Sequence, residues 1–110
     1  MASLCLLDDD GLTAALWELG DAPLAVGRGT TADVTISDVT LSRRHFLIIQ
    51  QKDGYVLQDL ASQNGTYVAG KRADPKLALR HHDCIAAGRT LFLFSEQSPA
   101  HQKTSGGPKV

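Results

Sequence analysis

The most constraining feature of this sequence is the shortness of its apolar runs, which turn residues interrupt roughly every eight to twelve positions. This spacing is typical of an all-β sandwich or barrel, and no segment shows the apolar period of an amphipathic helix. Asp10-Gly11 and Asp53-Gly54 predict two hairpins, because Asp-Gly supplies the positive φ angles of tight turns. Every position of the segment 46–49 is apolar, which predicts a core strand covered on both faces. The pattern predicts strands over 3–7, 12–19, 24–28, 33–36, 45–51, 55–60, 66–68, 77–79, 83–86 and 90–94.

The length of 110 residues predicts one domain with one core. Hydrophobic residues make up 43% of the chain, which is enough to build that core without a metal or a disulfide. From residue 97 the composition turns to Ser, Pro, His, Gln, Lys and Gly, which bury too little surface to offset the entropy of ordering. We therefore expect a folded domain over residues 1–96, a disordered tail or linker over 97–110, and no cofactor.

Charge and cysteine usage restrict the partners and the compartment. The formal net charge of −1 argues against binding to duplex nucleic acid, which usually needs a strongly basic domain. Cys5 and Cys84 lie in apolar stretches and are predicted to be buried, reduced thiols, which favours an intracellular protein, cytoplasmic or, in a eukaryote, nuclear. The first apolar run is too short for a signal peptide and follows no basic region, and no run reaches transmembrane length. We expect a monomer with no membrane partner.

Three short polar segments, each at the end of a predicted strand, are candidates for a binding site. They are Val26-Gly27-Arg28-Gly29, Leu41-Ser42-Arg43-Arg44-His45-Phe46 and the segment 59–68, which contains Gln63-Asn64-Gly65-Thr66. Each alone has an ordinary explanation as a solvated charge or a polar turn. Together they indicate a site, because the loops of a sandwich gather at its ends. Guanidinium groups, a hydroxyl and turn amides suit a phosphate monoester, which carries about −1.5 to −2 charges and three acceptor oxygens.

The succession Gly27-Arg28, Ser42-Arg43-Arg44-His45 and Asn64-Gly65-Thr66 resembles the motif set of the forkhead-associated (FHA) domain family. The resemblance covers about residues 4–94, including Asp83-Cys84-Ile85 and Gly88. It implies a β-sandwich of two twisted antiparallel sheets with about eleven strands, whose loops at one end bind phosphothreonine in an extended partner segment. The expected function is therefore a phosphothreonine-dependent protein–protein interaction module of the kind used in signalling, and not an enzyme.

The resemblance also implies a role for individual residues. Arg28 and Ser42 would contact the phosphate directly, with Arg43 close to it and Gln63 supplying backbone or side-chain donors. Asn64 would hold the main chain of the peptide. Structural support is expected from four further residues, namely Gly27 as a packing glycine, His45 as a buried brace, Gly65 at a positive φ, and Thr66.

Two departures from the family pattern limit what carries over. Some members place a basic residue just before the serine-containing loop, where it selects the side chain three positions after the phosphothreonine. This chain has Val39-Thr40-Leu41 there, so an acidic preference at that position is not implied. The usual glycine before the aspartate of the penultimate strand is replaced in Arg80-His81-His82-Asp83.

Other functions fit the sequence less well. A metal site at His81, His82 and Asp83 is disfavoured because adjacent residues on a strand point to opposite faces, so we predict no metal. A hydrolase using Ser42 and His45 would lack a nucleophile elbow and a separate oxyanion hole. The segment 27–31 lacks the Gly-Lys-Ser/Thr ending of a nucleotide-binding loop. The remaining alternative is a sandwich that binds or scaffolds a partner without phosphate, through a sheet face or an exposed edge.

Overall fold

The computed structural model describes residues 2–96, and this part of the chain folds as an all-β sandwich of eleven strands in two sheets. The strands are β1 (Ala2–Leu7), β2 (Thr13–Leu19), β3 (Leu24–Gly27), β4 (Val34–Thr35), β5 (Phe46–Gln51), β6 (Gly54–Asp59), β7 (Thr66–Val68), β8 (Lys71–Arg72), β9 (Lys76–Ala78), β10 (Cys84–Ala87) and β11 (Thr90–Glu96). The predicted sandwich is confirmed, and the predicted tail over 97–110 lies outside the described residues. Sequence pattern missed β8, because two exposed cations give no apolar signal.

The two sheets have six and five strands. Their orders are β2-β1-β11-β10-β7-β8 and β4-β3-β5-β6-β9. All neighbours are antiparallel except β3 and β4, which run parallel, so the expectation of two antiparallel sheets fails for this one short pair. The inward-facing side chains of both sheets form one core, in which the rings of Phe46 and Phe92 meet edge to face at 5.6 Å.

The two predicted hairpins are present, and the strand 46–49 lies in the core as expected. Asp10-Gly11 falls in the turn between β1 and β2, and Gly11 has a φ of 79°. Lys52 and Asp53 join β5 to β6, where Gln51 pairs with Gly54. Among residues 2–96 no helix is long and apolar enough to cross a membrane.

The two cysteines flank Leu93 from opposite sides on the outward face of the six-stranded sheet. Cys5 pairs with Leu93 from β1, and Cys84 pairs with it from β10. Two strand spacings, about 9.6 Å, separate them, which exceeds the reach of a disulfide, and both thiols are free. Cys5 is buried as predicted, but the prediction for Cys84 is wrong: its side chain is exposed because this sheet face is open at β10.

His81 and His82 lie in a turn before β10 and not on a strand. Their rings stack with centroids 3.6 Å apart, because His82 has a left-handed φ of 70°. The expectation that they point to opposite faces is therefore wrong. The glycine that is usual at this position in the family has a physical reason, since the position requires a left-handed φ that glycine adopts most readily and that His82 adopts here. Within residues 2–96 no three His, Cys, Asp or Glu side chains are grouped so as to hold a metal ion.

Candidate functional site

Arg28 follows the last residue of β3 and lies against the serine-arginine loop, which we define as residues 36–45 between β4 and β5. Its backbone N–H donates to the carbonyl of Ser42 at 3.1 Å, and its Nε donates to the carbonyl of Leu41 at 2.8 Å. The side chain is exposed, and its two terminal amino groups have no hydrogen-bond partner among residues 2–96. The guanidinium is thus fixed at one edge while its donor ends face solvent.

Gly27 allows this close approach of β3 to the serine-arginine loop. A Cβ at Gly27 would collide with the carbonyl oxygens of Arg43 and Ser42. The neighbouring Gly29 donates its N–H to the carbonyl of Arg43 at 3.0 Å. The expected packing role of Gly27 therefore has a specific cause, which is backbone against backbone with no room for a side chain.

Ser42 links the serine-arginine loop to the asparagine loop, which we define as residues 60–65 between β6 and β7. The backbone N–H of Gln63 donates to the Ser42 hydroxyl oxygen at 3.0 Å. The hydroxyl proton of Ser42 is left to donate to a ligand. Arg43 is exposed, and its side chain makes no hydrogen bond within the described part of the chain.

Asn64 lies in the asparagine loop and contacts the serine-arginine loop at Thr40. Its Nδ2 donates to the carbonyl of Thr40 at 2.7 Å, which orients the amide across the two loops. The side chain is exposed, and its Oδ1 accepts no hydrogen bond from residues 2–96. An amide fixed at its nitrogen with a free oxygen can accept the N–H of an extended main chain.

His45 is fully buried and uses both ring nitrogens to hold the two loops together. Nδ1 accepts the backbone N–H of Ser42 at 3.0 Å, so the ring proton resides on Nε2, which donates to the carbonyl of Gly65 at 2.8 Å. This tautomer is assigned from the hydrogen-bond network. Neither nitrogen is available to a substrate, which leaves His45 no role as a general base.

Asp59, the last residue of β6, organises the asparagine loop. Its carboxylate accepts the N–H and the hydroxyl of Ser62 at 3.0 and 2.5 Å and the hydroxyl of Thr66 at 2.7 Å. Burial raises the pKa of Asp59, but the hydrogen bonds from Ser62 and Thr66 outweigh it and hold this pKa below its ordinary value. Gly65, with a φ of 80°, donates its N–H to the Ser62 hydroxyl. Thr66 is fully buried, as a supporting residue would be.

Asp38 organises the serine-arginine loop in the same way. Its carboxylate accepts the backbone N–H and the hydroxyl of Thr40 at 2.8 and 2.6 Å and the N–H of Arg89 at 3.2 Å. Partial burial raises the pKa of Asp38, yet the hydrogen bonds from Thr40, Thr90 and Arg89 outweigh it and lower the pKa to about 2. A Cβ at Gly88 would collide with the Thr40 hydroxyl, so the turn between β10 and β11 lies directly against this loop.

A shallow cleft of about 290 Å³ adjoins Asn64. Its lining combines an aromatic ring, small apolar groups and a guanidinium, from Thr40, Asn64, Tyr67, Ala86, Gly88 and Arg89. The side chain of Arg89 makes no hydrogen bond within residues 2–96. The cleft can therefore take a side chain that flanks a group bound at Ser42.

The structure brings all the predicted site residues together at one end of the sandwich. Direct hydrogen bonds join the segments of Arg28, Ser42, Gln63 and Asn64 into one rim. Sequence reasoning missed the acids that hold the loops, Asp38 and Asp59. Their signal was an aspartate two residues before Thr40 and three residues before Ser62, a spacing at which short polar side chains bond neighbouring backbone.

Comparison with known proteins shows the family to which the chain belongs. The family model described as FHA domain matches residues 24–88, and the chain belongs to this family. It is 32% identical over 92 residues to the glycogen accumulation regulator GarA of Mycobacterium tuberculosis, covering 82% of this chain and 56% of GarA. It is 30% identical over 86 residues to the ABC transporter ATP-binding/permease protein Rv1747 of the same organism, covering 78% of this chain and 10% of that protein. The chain thus spans only part of the relatives it matches.

Solved structures show the same fold. One, from a structural and functional analysis of phosphothreonine-dependent FHA domain interactions, has a TM-score of 0.79 and 28% identity, covering 88% of this chain and 97% of that one. Another is the FHA domain of FhaA complexed with the intracellular domain of Rv3910, with a TM-score of 0.76 and 29% identity, covering 86% and 99%.

Proposed function

We propose that this FHA domain is a phosphothreonine-dependent interaction module that binds an extended segment of a partner protein. The observation that carries the proposal is the hydrogen-bonded rim in which the free ends of Arg28, the hydroxyl of Ser42 and the amide of Asn64 face solvent together. A site of this kind offers donors to a dianion and an acceptor to a main chain. The choice of threonine rests on the phosphothreonine-dependent FHA interactions described for a structural neighbour.

Each residue has a distinct task in this proposal. Arg28 donates its two terminal amino groups to phosphate oxygens, a geometry in which guanidinium is stronger than ammonium. Ser42 donates its hydroxyl proton, and Arg43 adds positive charge from the same loop. Gln63 supplies a side-chain amide, because its backbone N–H is already bound to Ser42. Asn64 accepts the N–H of a peptide residue next to the phosphothreonine.

The cleft beside Asn64 extends the proposal to a residue that flanks the phosphothreonine. Tyr67 and Ala86 offer apolar contact, and Arg89 offers a guanidinium at the rim of the cleft. No basic residue stands at positions 39–41, and Arg89 is the cation among the residues that line this cleft, so we propose that it sets the charge preference there. A phosphothreonine peptide library, compared between the wild type and Arg89→Ala, measures this preference.

Phosphate dependence is the decisive test of the function. A phosphothreonine peptide selected from such a library is expected to bind at about micromolar strength, near −8 kcal/mol, while its unphosphorylated twin loses most of that free energy. Arg28→Ala should weaken binding by at least about tenfold. The matched control is Arg80→Ala, an exposed arginine beside the stacked histidines at the opposite end of the sandwich. Equal binding of both peptides would instead favour a phosphate-independent sandwich module.

We propose no catalysis at this site. The two nitrogens of His45 are occupied by backbone groups, and the relatives include a regulator and an inhibitor, namely GarA and the oxoglutarate dehydrogenase inhibitor of Corynebacterium jeikeium. We propose binding alone, to a phosphoprotein and not to nucleic acid or membrane, in an intracellular setting. All the proposed contacts come from a single chain, so one chain is the binding unit.

A further inference from the structure

Charge is distributed unevenly between the two edges of the six-stranded sheet. β2 forms one edge and β8 forms the other. Residues 2–27, which include β1, β2 and β3, hold five acids and no lysine or arginine. Residues 71–76, which include β8 and the start of β9, hold one acid, Asp74, and three cations, Lys71, Arg72 and Lys76. The β8 edge is therefore a basic side of a chain whose formal net charge is −1.

Arg72 extends from this basic edge to the asparagine loop. Its guanidinium lies over Gly65, where an added Cβ would be 3.2 Å from Nε and 3.4 Å from Cζ. Gly65 directly follows Asn64, the residue proposed to hold the main chain of the peptide. Because Gly65 has no side chain, the guanidinium of Arg72 fits beside the proposed phosphothreonine site.

The guanidinium of Arg72 is available to a ligand. Its side chain is exposed and makes no hydrogen bond or ion pair within residues 2–96. Asp74 lines the same second cleft as Arg72, a cleft of about 660 Å³ between the asparagine loop and residues 72–75. The other acid of this cleft, Asp59, is already bonded to Ser62 and Thr66. A guanidinium with unused N–H donors beside a binding site is suited to a carboxylate.

A continuous surface leads from the cleft beside Asn64 to Arg72. Tyr67 lines that cleft, and its Cα pairs with Ala86 on one side and with Arg72 on the other. Residues paired across neighbouring strands lie on the same face of a sheet, so these three form one outward row. Arg72 therefore lies one strand spacing, about 4.8 Å, beyond Tyr67. An extended segment with one side chain in the cleft carries its next side chain on that face about 7 Å further on, within reach of Arg72.

We infer that Arg72 selects an acidic residue of the phosphorylated partner, two positions beyond the residue that enters the cleft beside Asn64. This inference deepens the proposed function and rests on it. The basic edge attracts an acidic segment and repels a basic one, and Lys71 adds to that field while Asp74 opposes it. Arg72 acts separately from Arg89, which lies in the turn after β10, on the other side of β7 from β8.

Isothermal titration calorimetry with paired phosphothreonine peptides tests the inference. The two peptides of a pair share a sequence selected from the library and differ only in having glutamate or glutamine at one position. That position is moved through about four residues on each side of the phosphothreonine. At one position we expect glutamate to bind about twofold to fivefold more tightly, as for an exposed ion pair, and the preference to shrink as salt is added.

Variants of β8 assign this preference to a residue. Arg72→Gln should abolish it, and Arg72→Lys, which keeps the charge, should retain part of it. The matched control is Lys71→Gln, which removes the same charge from the same strand. Lys71 pairs with the buried Val68, so its side chain lies on the other face of β8 and the preference should remain. Asp74→Asn should increase the preference by up to about twofold, because it removes the opposing charge.

The outcomes separate this inference from the proposed function. Equal affinity for glutamate and glutamine at every position overturns the inference, and so does a preference that Arg72→Gln leaves unchanged or that Lys71→Gln abolishes equally. In these cases phosphate-dependent binding of the same peptides leaves the proposed function intact. Failure of the proposed function has a different result, in which the phosphorylated glutamine peptide and its unphosphorylated twin bind alike, and that result overturns both.

Discussion

The carboxylate of Asp38 accepts a hydrogen bond of 2.7 Å from the hydroxyl of Thr90, the first residue of β11. Asp38 also accepts two bonds from Thr40, and the carbonyl of Thr40 accepts the side-chain amide of Asn64. Asp38 thus bonds the serine-arginine loop to the six-stranded sheet directly, and through Thr40 it also positions Asn64. The geometry of the rim depends on a residue that presents no group to the proposed ligand.

Asp38→Ala is expected to weaken phosphopeptide binding and to destabilise the fold. The variant leaves the donors of Thr40 and Thr90 without their acceptor, while the N–H of Arg89 keeps its bond to the Thr40 hydroxyl. The cost is about 1–3 kcal/mol in the free energy of unfolding. Because Thr40 then no longer holds Asn64 in place, affinity for the phosphopeptide should fall by about threefold to tenfold. Urea denaturation measures the first effect and isothermal titration calorimetry the second.

The matched control for Asp38→Ala is Asp9→Ala, since Asp9 is exposed in the first hairpin turn and makes no hydrogen bond within the described residues. It should change neither stability nor affinity by a measurable amount. If Asp38→Ala lowered stability and left affinity unchanged, Asp38 would be a residue of the scaffold alone.

Stability should fall in acid as Asp38 takes up a proton. The pKa of Asp38 is about 2 in the folded chain against 3.8 ordinarily, so its stabilising contribution is complete above pH 3.8 and is lost as the pH falls through 2. Asp59, whose pKa is also lowered, acts in the same direction. For Asp38, which is partly exposed and therefore screened, the contribution is about 1 kcal/mol. Urea denaturation between pH 5 and 2 should show a shallower decline in Asp38→Ala, and parallel curves would contradict the assignment.

Sequence pattern predicted the fold well because apolar alternation and Asp-Gly turns are local signals. It could not find β8, whose Lys71 and Arg72 are held only by pairing with β7. The candidate site residues were recognised by their motifs. Asp38 was given no role, because its bond to Thr40 is an ordinary feature of a polar turn and its second partner, Thr90, lies 52 residues away. The exposure of Cys84 was missed for a similar reason. An apolar neighbourhood in sequence does not show which face of a sheet remains open.

His45→Ala should destabilise the domain strongly, in contrast to Arg28→Ala. Removing the ring leaves the N–H of Ser42 and the buried carbonyl of Gly65 without partners and opens a cavity, at a cost of about 3–5 kcal/mol. Arg28 is exposed, and its alanine variant should lose less than about 1 kcal/mol. Thermal or urea unfolding of both variants separates scaffold from ligand-binding residue. Similar stability losses in the two would contradict that division.

His82→Gly should stabilise the domain, although it removes a stacked ring. His82 has a φ of 70°, a conformation that costs a residue with a Cβ about 1 kcal/mol or more. Glycine relieves this strain, and after the entropy it adds to the unfolded chain the gain should be about 0.5 kcal/mol. His81→Gly is the matched control, because its Nδ1 accepts the N–H of Glu96 at 2.9 Å and its loss should destabilise the same turn. Urea denaturation of both variants measures the difference, and a loss of stability in His82→Gly would mean that the stacked pair outweighs the strained backbone.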